Sequence, residues 1–377
     1  MKILHITAAY KPAVIYGGPT MSVATLCEEL SKAGVSVQVF TTTANGAQEL
    51  AVDTAVQLNV DGVPVIYFTR ITKDHTHFSP GLLKALWKKA TEFDAIHIHA
   101  WWNLVSMLSC AIALARKVPV VVSPRGMLSA YSFNNKNIGA KRLIHKIMGE
   151  SLLNKSHIHT TSNYESQAVI NLVKPLSITA LPNFVKLPNP GVIDQSTCGG
   201  VLKLLFFSRI EEKKGLDILL KALKFLTLTY HLTIAGDGEE EYINYLKTLT
   251  RGVEDKITWA GFYGADKFEL LQQHHLLVLP SHDENFGNVV IESLGVGTAV
   301  LVSEAVGLAG YVRENNFGWI CQTNAQSVSD TINNIGASGL AALTNIRQTA
   351  PAIVRNDFTG TALAQKYINF YQQLIKA

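Results

Sequence analysis

Two carboxylates eight positions apart, Glu284 and Glu292, frame Phe286-Gly287-Asn288 in the stretch P-S-H-D-E-N-F-G-N-V-V-I-E-S-L-G-V-G at 280–297. The apolar run 276–279 before it reads as a buried parallel strand, and the pattern after Gly287 reads as a helix. A helix start leaves backbone N–H groups without intrahelical partners and carries partial positive charge, so it attracts phosphate, and glycine lets a ligand approach the backbone. Carboxylates beside an anion site do nothing for the anion, but they can accept hydrogen bonds from sugar hydroxyls. Taken alone, Glu284 as a helix-start charge and Glu292 as a solvated helix residue fit equally well.

Two cations stand at a second predicted strand end. In F-S-R-I-E-E-K-K-G at 207–215, Arg209 leaves the strand and Lys214 opens the next helix, an arrangement able to neutralise a diphosphate, bidentately in the case of Arg. A solvated charge cluster would read the same. Near the N-terminus, Y-G-G-P puts Gly17 and Gly18 just before Pro19, which suits a first helical turn, so this loop can also face an anion; a surface turn would look alike. Neither segment is a G-x-G-x-x-G fingerprint, and no Walker A sequence occurs. A-G-D-G-E at 235–239 comes nearest, but Glu241 replaces the third glycine, which speaks for a tight turn and against an oxidoreductase.

His97 and His99 alternate in I-H-I-H-A-W-W at 96–102, so one face of a strand carries both. That spacing could suit a metal, although a third and fourth ligand are not visible. His97 reads as a buried, satisfied histidine and His99, at the strand tip, as a site residue. Trp101 and Trp102 could stack on a sugar or lipid, or pack the core. Arg125 stands at the next strand end in S-P-R-G-M-L at 123–128. The following 134–155 mixes Lys136, Lys141, Arg142 and Lys146 with Ile138, Leu143, Ile144, Ile147 and Met148. A basic amphipathic helix of that kind can lie on an anionic bilayer, while an ordinary surface helix has the same composition.

These residues stand at the ends of elements that alternate strand and helix along the chain. Strands are predicted at 2–9, 35–42, 95–99, 119–123, 157–161 and 177–181, with a hairpin over 56–67 broken at Asp61-Gly62. Helices are predicted between them at 19–33, 82–92, 104–116, 140–153 and 164–172. Beyond residue 200, strands at 201–208, 232–235, 257–259, 276–279, 299–302 and 318–320 alternate with helices at 215–226, 239–250, 265–273, from 287, and at 325–335, and a helix at 358–375 ends the pattern. Such alternation implies an α/β protein with parallel sheets covered on both faces. The Pro- and Gly-rich 182–200 interrupts it, and 377 residues exceed what one core usually supports. The expected division is an N-terminal domain at 1–185, a linker at 186–200 and a C-terminal domain at 201–357.

A hydrophobic content of 47% with 16% charged residues describes a globular protein with large buried layers and excludes disorder. Four scattered cysteines without a C-x-x-C pair argue against zinc sites and a disulfide framework, and for a reducing compartment. The N-terminal apolar stretch is too short and polar for a signal peptide, and the run 104–115 falls short of the about 20 residues of a membrane span, so it reads as a buried helix. Residues 1–190 hold 18 Lys and Arg against 10 Asp and Glu, and residues 191–377 hold 15 against 19. A basic half suits an anionic ligand or an anionic lipid surface. Nucleic acid is disfavoured, because no cluster of interleaved aromatic and basic residues accompanies the charge.

Together these segments resemble the family 4 glycosyltransferases, retaining enzymes of the GT-B fold. The likeness is carried by F-F-S-R-I-E-E-K-K-G-L-D at 206–217 and by E-N-F-G-N-V-V-I-E at 284–292, which matches the family's E-x7-E motif. Y-G-G-P, H-I-H-A-W-W and S-P-R-G-M-L resemble members that build bacterial surface polysaccharides. The resemblance implies two Rossmann-like domains facing each other across a cleft, with the last helix at about 358–377 returning to the N-terminal one. It implies transfer of a hexose, with retention, from a nucleotide-diphosphate sugar to a sugar or lipid-linked saccharide. UDP or GDP is the expected base, no metal or other cofactor is required, and no D-x-D occurs in the chain.

By position, the resemblance assigns Arg209 and Lys214 to the donor diphosphate and leaving group, Glu284 to the donor sugar and Glu292 to the ribose. The backbone of Phe286, Gly287 and Asn288 would hold sugar and phosphate, Gly17 and Gly18 would meet the diphosphate from the other domain, and Gly261 would contribute main-chain contacts near the base. His99, Trp101, Trp102 and Arg125 fall on the acceptor side. Many members carry a histidine facing the donor sugar where this chain has Arg125; arginine is no base near neutral pH, so a phosphate or the acceptor is its expected partner. A sugar-nucleotide epimerase on the same frame and a non-catalytic nucleotide-sugar binding module are the competing readings, the former disfavoured by the Arg209, Lys214 and E-x7-E pairing. The expected location is cytoplasmic, peripheral at the inner face of the plasma membrane.

Overall fold

A computed structural model describes residues 1–134, 138–189, 200–264 and 266–376. Lys136, Cys198, Ala265 and most of the 186–200 segment lie outside them. The chain divides into two compact units, Met1–Phe184 with Gly360–Ala377, and Val185–Thr359.

In the first unit the strands are β1 (Lys2–Ile6), β2 (Ser36–Thr42), the short pair β3 (Ala44–Asn45) and β4 (Gln48–Glu49), β5 (Gln57–Val60), β6 (Val63–Phe68), β7 (Ala95–His99), β8 (Val120–Ser123), β9 (His157–Thr160) and β10 (Ser177–Ala180). Its helices are α1 (Gly18–Lys32), α2 (Pro80–Lys89), α3 (Leu104–Ala115), α4 (Ala130–Asn134), α5 (Ile138–Ile144), α6 (Glu150–Asn154) and α7 (Asn163–Ile170). Among the described residues one sheet runs β10-β9-β8-β7-β1-β2-β6-β5, parallel except for the β5–β6 hairpin. That hairpin turns at Asp61 and Gly62, both with positive φ, as a two-residue turn of matching twist requires.

The second unit carries β11 (Leu202–Phe207), β12 (Tyr230–Ala235), β13 (Ile257–Gly261), β14 (Leu276–Leu279), β15 (Ala299–Ser303) and β16 (Gly318–Cys321). Between and after them come α8 (Leu216–Ala222), α9 (Glu240–Leu249), α10 (Lys267–Gln272), α11 (Asn288–Gly295), α12 (Ala309–Asn315), α13 (Ala325–Ser338) and α14 (Leu340–Phe358). The all-parallel sheet order β13-β12-β11-β14-β15-β16 is that of a dinucleotide-binding Rossmann fold. In each sheet the chain winds outward in both directions from one pair of strands, β1 and β7 or β11 and β14. Loops leaving the carboxyl ends of such a pair diverge and leave a crevice, which is where α/β proteins bind ligands.

The cores follow from strand composition. β14 (L-L-V-L) and β15 (A-V-L-V-S) are buried at every position, as strands covered on both faces must be. α14 was not expected, and it carries Pro351 inside it, a residue that ordinarily breaks a helix. Leu343, Ile346, Ala350, Val354 and Phe358 nevertheless recur at helical spacing and bury one face, which outweighs the lost backbone bond. α15 (Gly360–Lys376) belongs to the first unit and buries Leu363, Tyr367, Phe370, Tyr371 and Leu374 there. The single helix expected over 140–153 is instead α5 and α6 joined by one π-helical turn, His145–Gly149, whose wider winding leaves His145 buried against Trp102 and Phe133. Cys27, Cys110 and Cys321 are buried free thiols. No described helix is long and apolar enough to cross a membrane.

Candidate active site

In the second unit the crevice residues come from the loops after β11 and β14. The chain leaves β11 through Arg209 and makes a 3-10 turn, Glu212–Lys214, that ends on Gly215 in the left-handed region at φ 70°. A Cβ at position 215 would lie 2.2 Å from the carbonyl oxygen of Pro280, so only glycine lets the two loops touch. The His282 N–H donates to the Lys213 carbonyl at 2.8 Å, and two ion pairs follow in register, Lys213 with Asp283 at 2.7 Å and Lys214 with Glu284. The backbone of Glu284 is held as well: its N–H donates to Ala305 O at 3.0 Å and its carbonyl accepts from the Gly307 N–H at 2.8 Å. Glu284 is therefore an anchored carboxylate whose partner is the ammonium expected to meet phosphate. An ammonium has three N–H donors, so Lys214 can keep this contact and reach a further oxygen.

Gly287, at φ 91°, caps α11 from the left-handed region. Phe286 before it turns its ring into the core, 5.9 Å from that of Phe358, which leaves its backbone rather than its side chain for a ligand. Asn288 and Glu292 lie four residues apart on one face of α11. The Glu292 carboxylate accepts from Lys267 Nζ at 2.7 Å, on the first residue of α10. Arg209 is mostly solvent-exposed and lies 3.2 Å from Glu211. Gly261, exposed at the end of β13, has φ 69° and accepts the Gly236 N–H at 2.7 Å. Lys267 and the Lys213–Asp283 pair had no sequence signal, because ion pairing between separate loops leaves no periodic trace.

In the first unit Gly17 caps α1 at φ 64° with Gly18 and Pro19 opening the helix. The ends of β1, β7, β8 and β9 form a row of neutral polar groups. His97 accepts the Tyr371 hydroxyl at Nδ1 (2.7 Å) and its Nε2 meets Ser123 Oγ at 2.6 Å; Ser123 in turn meets His159 Nδ1 at 2.6 Å, and His159 Nε2 lies 3.0 Å from Leu181 O. A carbonyl can only accept, so His159 carries its proton on Nε2, and every donor and acceptor back to Tyr371 is thereby assigned. Beside this row, His99 Nε2 lies 2.9 Å from His5 Nδ1, while Arg125 donates to His99 Nδ1 from Nε and Nη2 at 3.4 and 3.3 Å and to Asn183 Oδ1 at 3.1 Å.

Burial, reinforced by the Arg125 cation, depresses the pKa of His5 to about 3 and holds that of His99 well below its usual value; burial likewise lowers His97, and lowers His159 to about 3. All four are neutral near pH 7. One nitrogen each of His5, His97 and His99 lies within 4.8 Å of the others, a grouping a metal could use. Both ring nitrogens of His97 and of His99 already have hydrogen-bond partners, and one of those partners is a guanidinium, so the geometry fits a hydrogen-bonded row better than a cation site.

The acceptor-side residues need correction. Trp101 is fully buried in the core and has no face for a ligand. Its expected role fails because the chain passes through left-handed Ala100, at φ 68°, after β7 and Trp101 joins the core. His99 is buried and stands behind Arg125 rather than at the surface. Trp102 is partly buried, with Nε1 donating to Met127 O at 2.7 Å. Sequence reasoning missed His5, His159 and Glu165, although the alternating H-I-H at 157–159 repeats the pattern at 97–99 and was a usable signal.

Residues 17–183 match the model of the glycosyl transferase 4-like domain, and residues 198–351 that of glycosyl transferases group 1. An uncharacterized glycosyltransferase of Methanocaldococcus jannaschii is 25% identical over 99% of this chain and 98% of its own length. The D-inositol 3-phosphate glycosyltransferase of Streptomyces scabiei is 24% identical over 85% of this chain and 79% of its own. Among solved structures, Anabaena HepE in complex with UDP superposes with a TM-score of 0.75 at 20% identity, over 99% of this chain and 100% of that one. Sucrose-phosphate synthase from Thermosynechococcus elongatus superposes with a TM-score of 0.74 at 18% identity, over 100% and 99%. Both Rossmann-like units are thus matched by glycosyltransferase models, and the chain belongs to the family 4-like glycosyltransferases of the GT-B fold.

Proposed function

We propose that the protein transfers a hexose, with retention of anomeric configuration, from a nucleotide-diphosphate sugar to a saccharide or lipid-linked saccharide, in the synthesis of a polysaccharide or glycoconjugate. The observation that carries this reading is the Lys214–Glu284 ion pair at the β11/β14 strand ends. It sets a cation for phosphate and an acceptor for sugar hydroxyls side by side. Arg209 and Lys214 bind the diphosphate and stabilise the charge that develops on it as the glycosyl bond breaks. Their charge, with the N-terminus of α11, serves in place of a metal ion. Glu284 addresses the transferred sugar and Glu292, braced by Lys267, the ribose, while the backbone at Phe286, Gly287 and Asn288 holds sugar and phosphate. Gly261 offers main-chain groups near the base, and the Gly17-Gly18 turn is suited to an anion. UDP is the favoured nucleotide, since HepE was crystallised with UDP and UDP-glucose; GDP is the alternative.

A lipid-linked acceptor is favoured by the surface at 138–147. Ile138, Leu143, Ile144 and Ile147 are exposed there among Lys141, Arg142 and Lys146. Binding to vesicles containing anionic lipid, lost when Lys141, Arg142 and Lys146 are all changed to Glu, is the expected result; absence of binding by the parent protein would remove the membrane part of the proposal. For the donor, a melting-temperature screen of UDP, GDP and ADP sugars tests the reading, because a ligand at about 100 times its Kd adds about 2.7 kcal/mol to stability. A UDP or GDP sugar should raise the transition. No response to any nucleotide sugar would contradict the function proposed.

A further inference from the structure

Arg125, partly buried, differs from Arg70, the well-buried arginine of its unit. Arg70 is compensated by a carboxylate, Glu49, at 2.7 Å, with His77 Nδ1 at 3.0 Å and the carbonyls of Gly46 and Gln48 as its further partners. Arg125 meets only neutral acceptors, His99 Nδ1 and Asn183 Oδ1, and the contacts to His99 are long. No carboxylate of the described residues pairs with it. The carboxylate that acts on it through space, Glu165, is committed elsewhere: it accepts the Gly126 N–H at 2.7 Å and the Thr161 N–H at 2.8 Å, and so locks the turn that carries Arg125.

The turn itself is strained. Arg125 sits at φ 53°, a region costly for a side chain with a Cβ, and Ala100 at the adjacent strand end sits at φ 68°. Behind the guanidinium, His99 accepts at Nδ1 and therefore carries its proton on Nε2, which donates to His5 Nδ1. The burial of His5 and His99 keeps both neutral, so neither competes with Arg125 for an anion. An arginine has five N–H donors, and the three contacts above leave two for a ligand. Even a partly buried cation without a counter-charge costs stability unless an anion supplies one.

We propose that Arg125 is the binding fork for a substrate phosphoryl group, preset by His99 and Asn183 and left without a counter-ion so that the substrate provides it. The identity of that substrate rests on the transfer reading above: the phosphoryl group belongs either to the acceptor or to the donor diphosphate. Two oxygens of one phosphoryl group match the planar donors of a guanidinium, which an ammonium cannot reproduce.

Calorimetric titration of inorganic phosphate into the whole protein, with and without saturating UDP, tests this. If the phosphoryl group is the acceptor's, phosphate still binds in the presence of UDP, and Arg125→Gln weakens it at least about tenfold without changing the affinity for UDP. If it is the donor's, UDP abolishes phosphate binding and Arg125→Gln weakens UDP itself at least about tenfold. Arg125→Lys keeps the charge without the fork and should restore only part of the loss. The melting temperature of Arg125→Gln should equal or exceed that of the parent, since an uncompensated cation is removed; this separates a ligand-binding role from a structural one. Phosphate and UDP affinities in Arg125→Gln equal to those of the parent would overturn the proposal. Failure of the parent to bind any nucleotide would instead sink the transfer reading and leave the phosphate titration to decide Arg125.

Discussion

The two sheets end in opposite kinds of chemistry. At the β11 and β14 ends, cations and carboxylates are paired within reach of solvent, Lys214 with Glu284 and Lys267 with Glu292. At the β1, β7, β8 and β9 ends, four neutral histidines form hydrogen-bonded rows behind a single cation that has no counter-charge. On the roles proposed above, the contrast is between two ways to keep charge ready for a substrate. Paired charges keep each group ionised and oriented until a ligand shares them. A lone guanidinium backed by neutral imidazoles keeps its charge unspent, at a cost in stability that a bound anion recovers.

Removing the carboxylate proposed to address the donor sugar should give the largest effect. Glu284→Ala is expected to lower the transfer rate by about 100- to 1,000-fold or more. Retained transfer in a folded variant would show that this ion pair is structural and erase the contrast between the two ends.

Acid should act on the histidine rows. These groups titrate near 6.5 in the unfolded chain, whereas the folded values of His5 and His159 are about 3 and those of His97 and His99 are well below 6.5. Below pH 6.5 the unfolded chain therefore binds more protons, so the stabilising contribution is complete above that pH and is lost progressively toward pH 3. Melting temperatures measured from pH 8 to pH 4 should fall steeply below about 6.5. The fall should be shallower in a variant combining His5→Gln with His159→Gln; equal slopes would mean that the rows do not carry the effect.

A smaller loss is expected on breaking one link of a row. Tyr371→Phe leaves His97 Nδ1 a buried acceptor without a donor, which should cost about 1–3 kcal/mol in denaturant unfolding while the affinity for UDP stays unchanged. A change in UDP affinity would tie the neutral row to the donor. The smallest effect should come from Lys267→Ala, which removes the brace of Glu292 while leaving the carboxylate in place; a weakening of UDP by a few-fold, roughly that of a partly exposed ion pair, is expected in direct titration.

Legibility in the sequence followed local pattern. Apolar runs such as 276–279 and 299–302 marked their strands because strands covered on both faces carry no alternation, and Glu284, Gly287 and Glu292 could be placed because a strand, a glycine and a helix follow one another there. α12 and α14 are absent from the expected pattern; in α14 Pro351 interrupts the spacing of the buried residues. Trp101 could not be placed from its neighbours, since nothing local announces the left-handed conformation of Ala100. His5, His159 and Tyr371 join one polar region only through register between parallel strands and the return of α15 to its unit. Pairings of that kind, like Lys267 with Glu292, are set by topology rather than by spacing.

The central claim is that Lys214, held by Glu284, binds the donor diphosphate. Calorimetric titration of UDP into the parent and into Lys214→Ala tests it most directly. The account predicts an affinity weakened by at least about tenfold in Lys214→Ala with Tyr371→Phe as an unaffected control. Equal affinities in the parent and Lys214→Ala would contradict it.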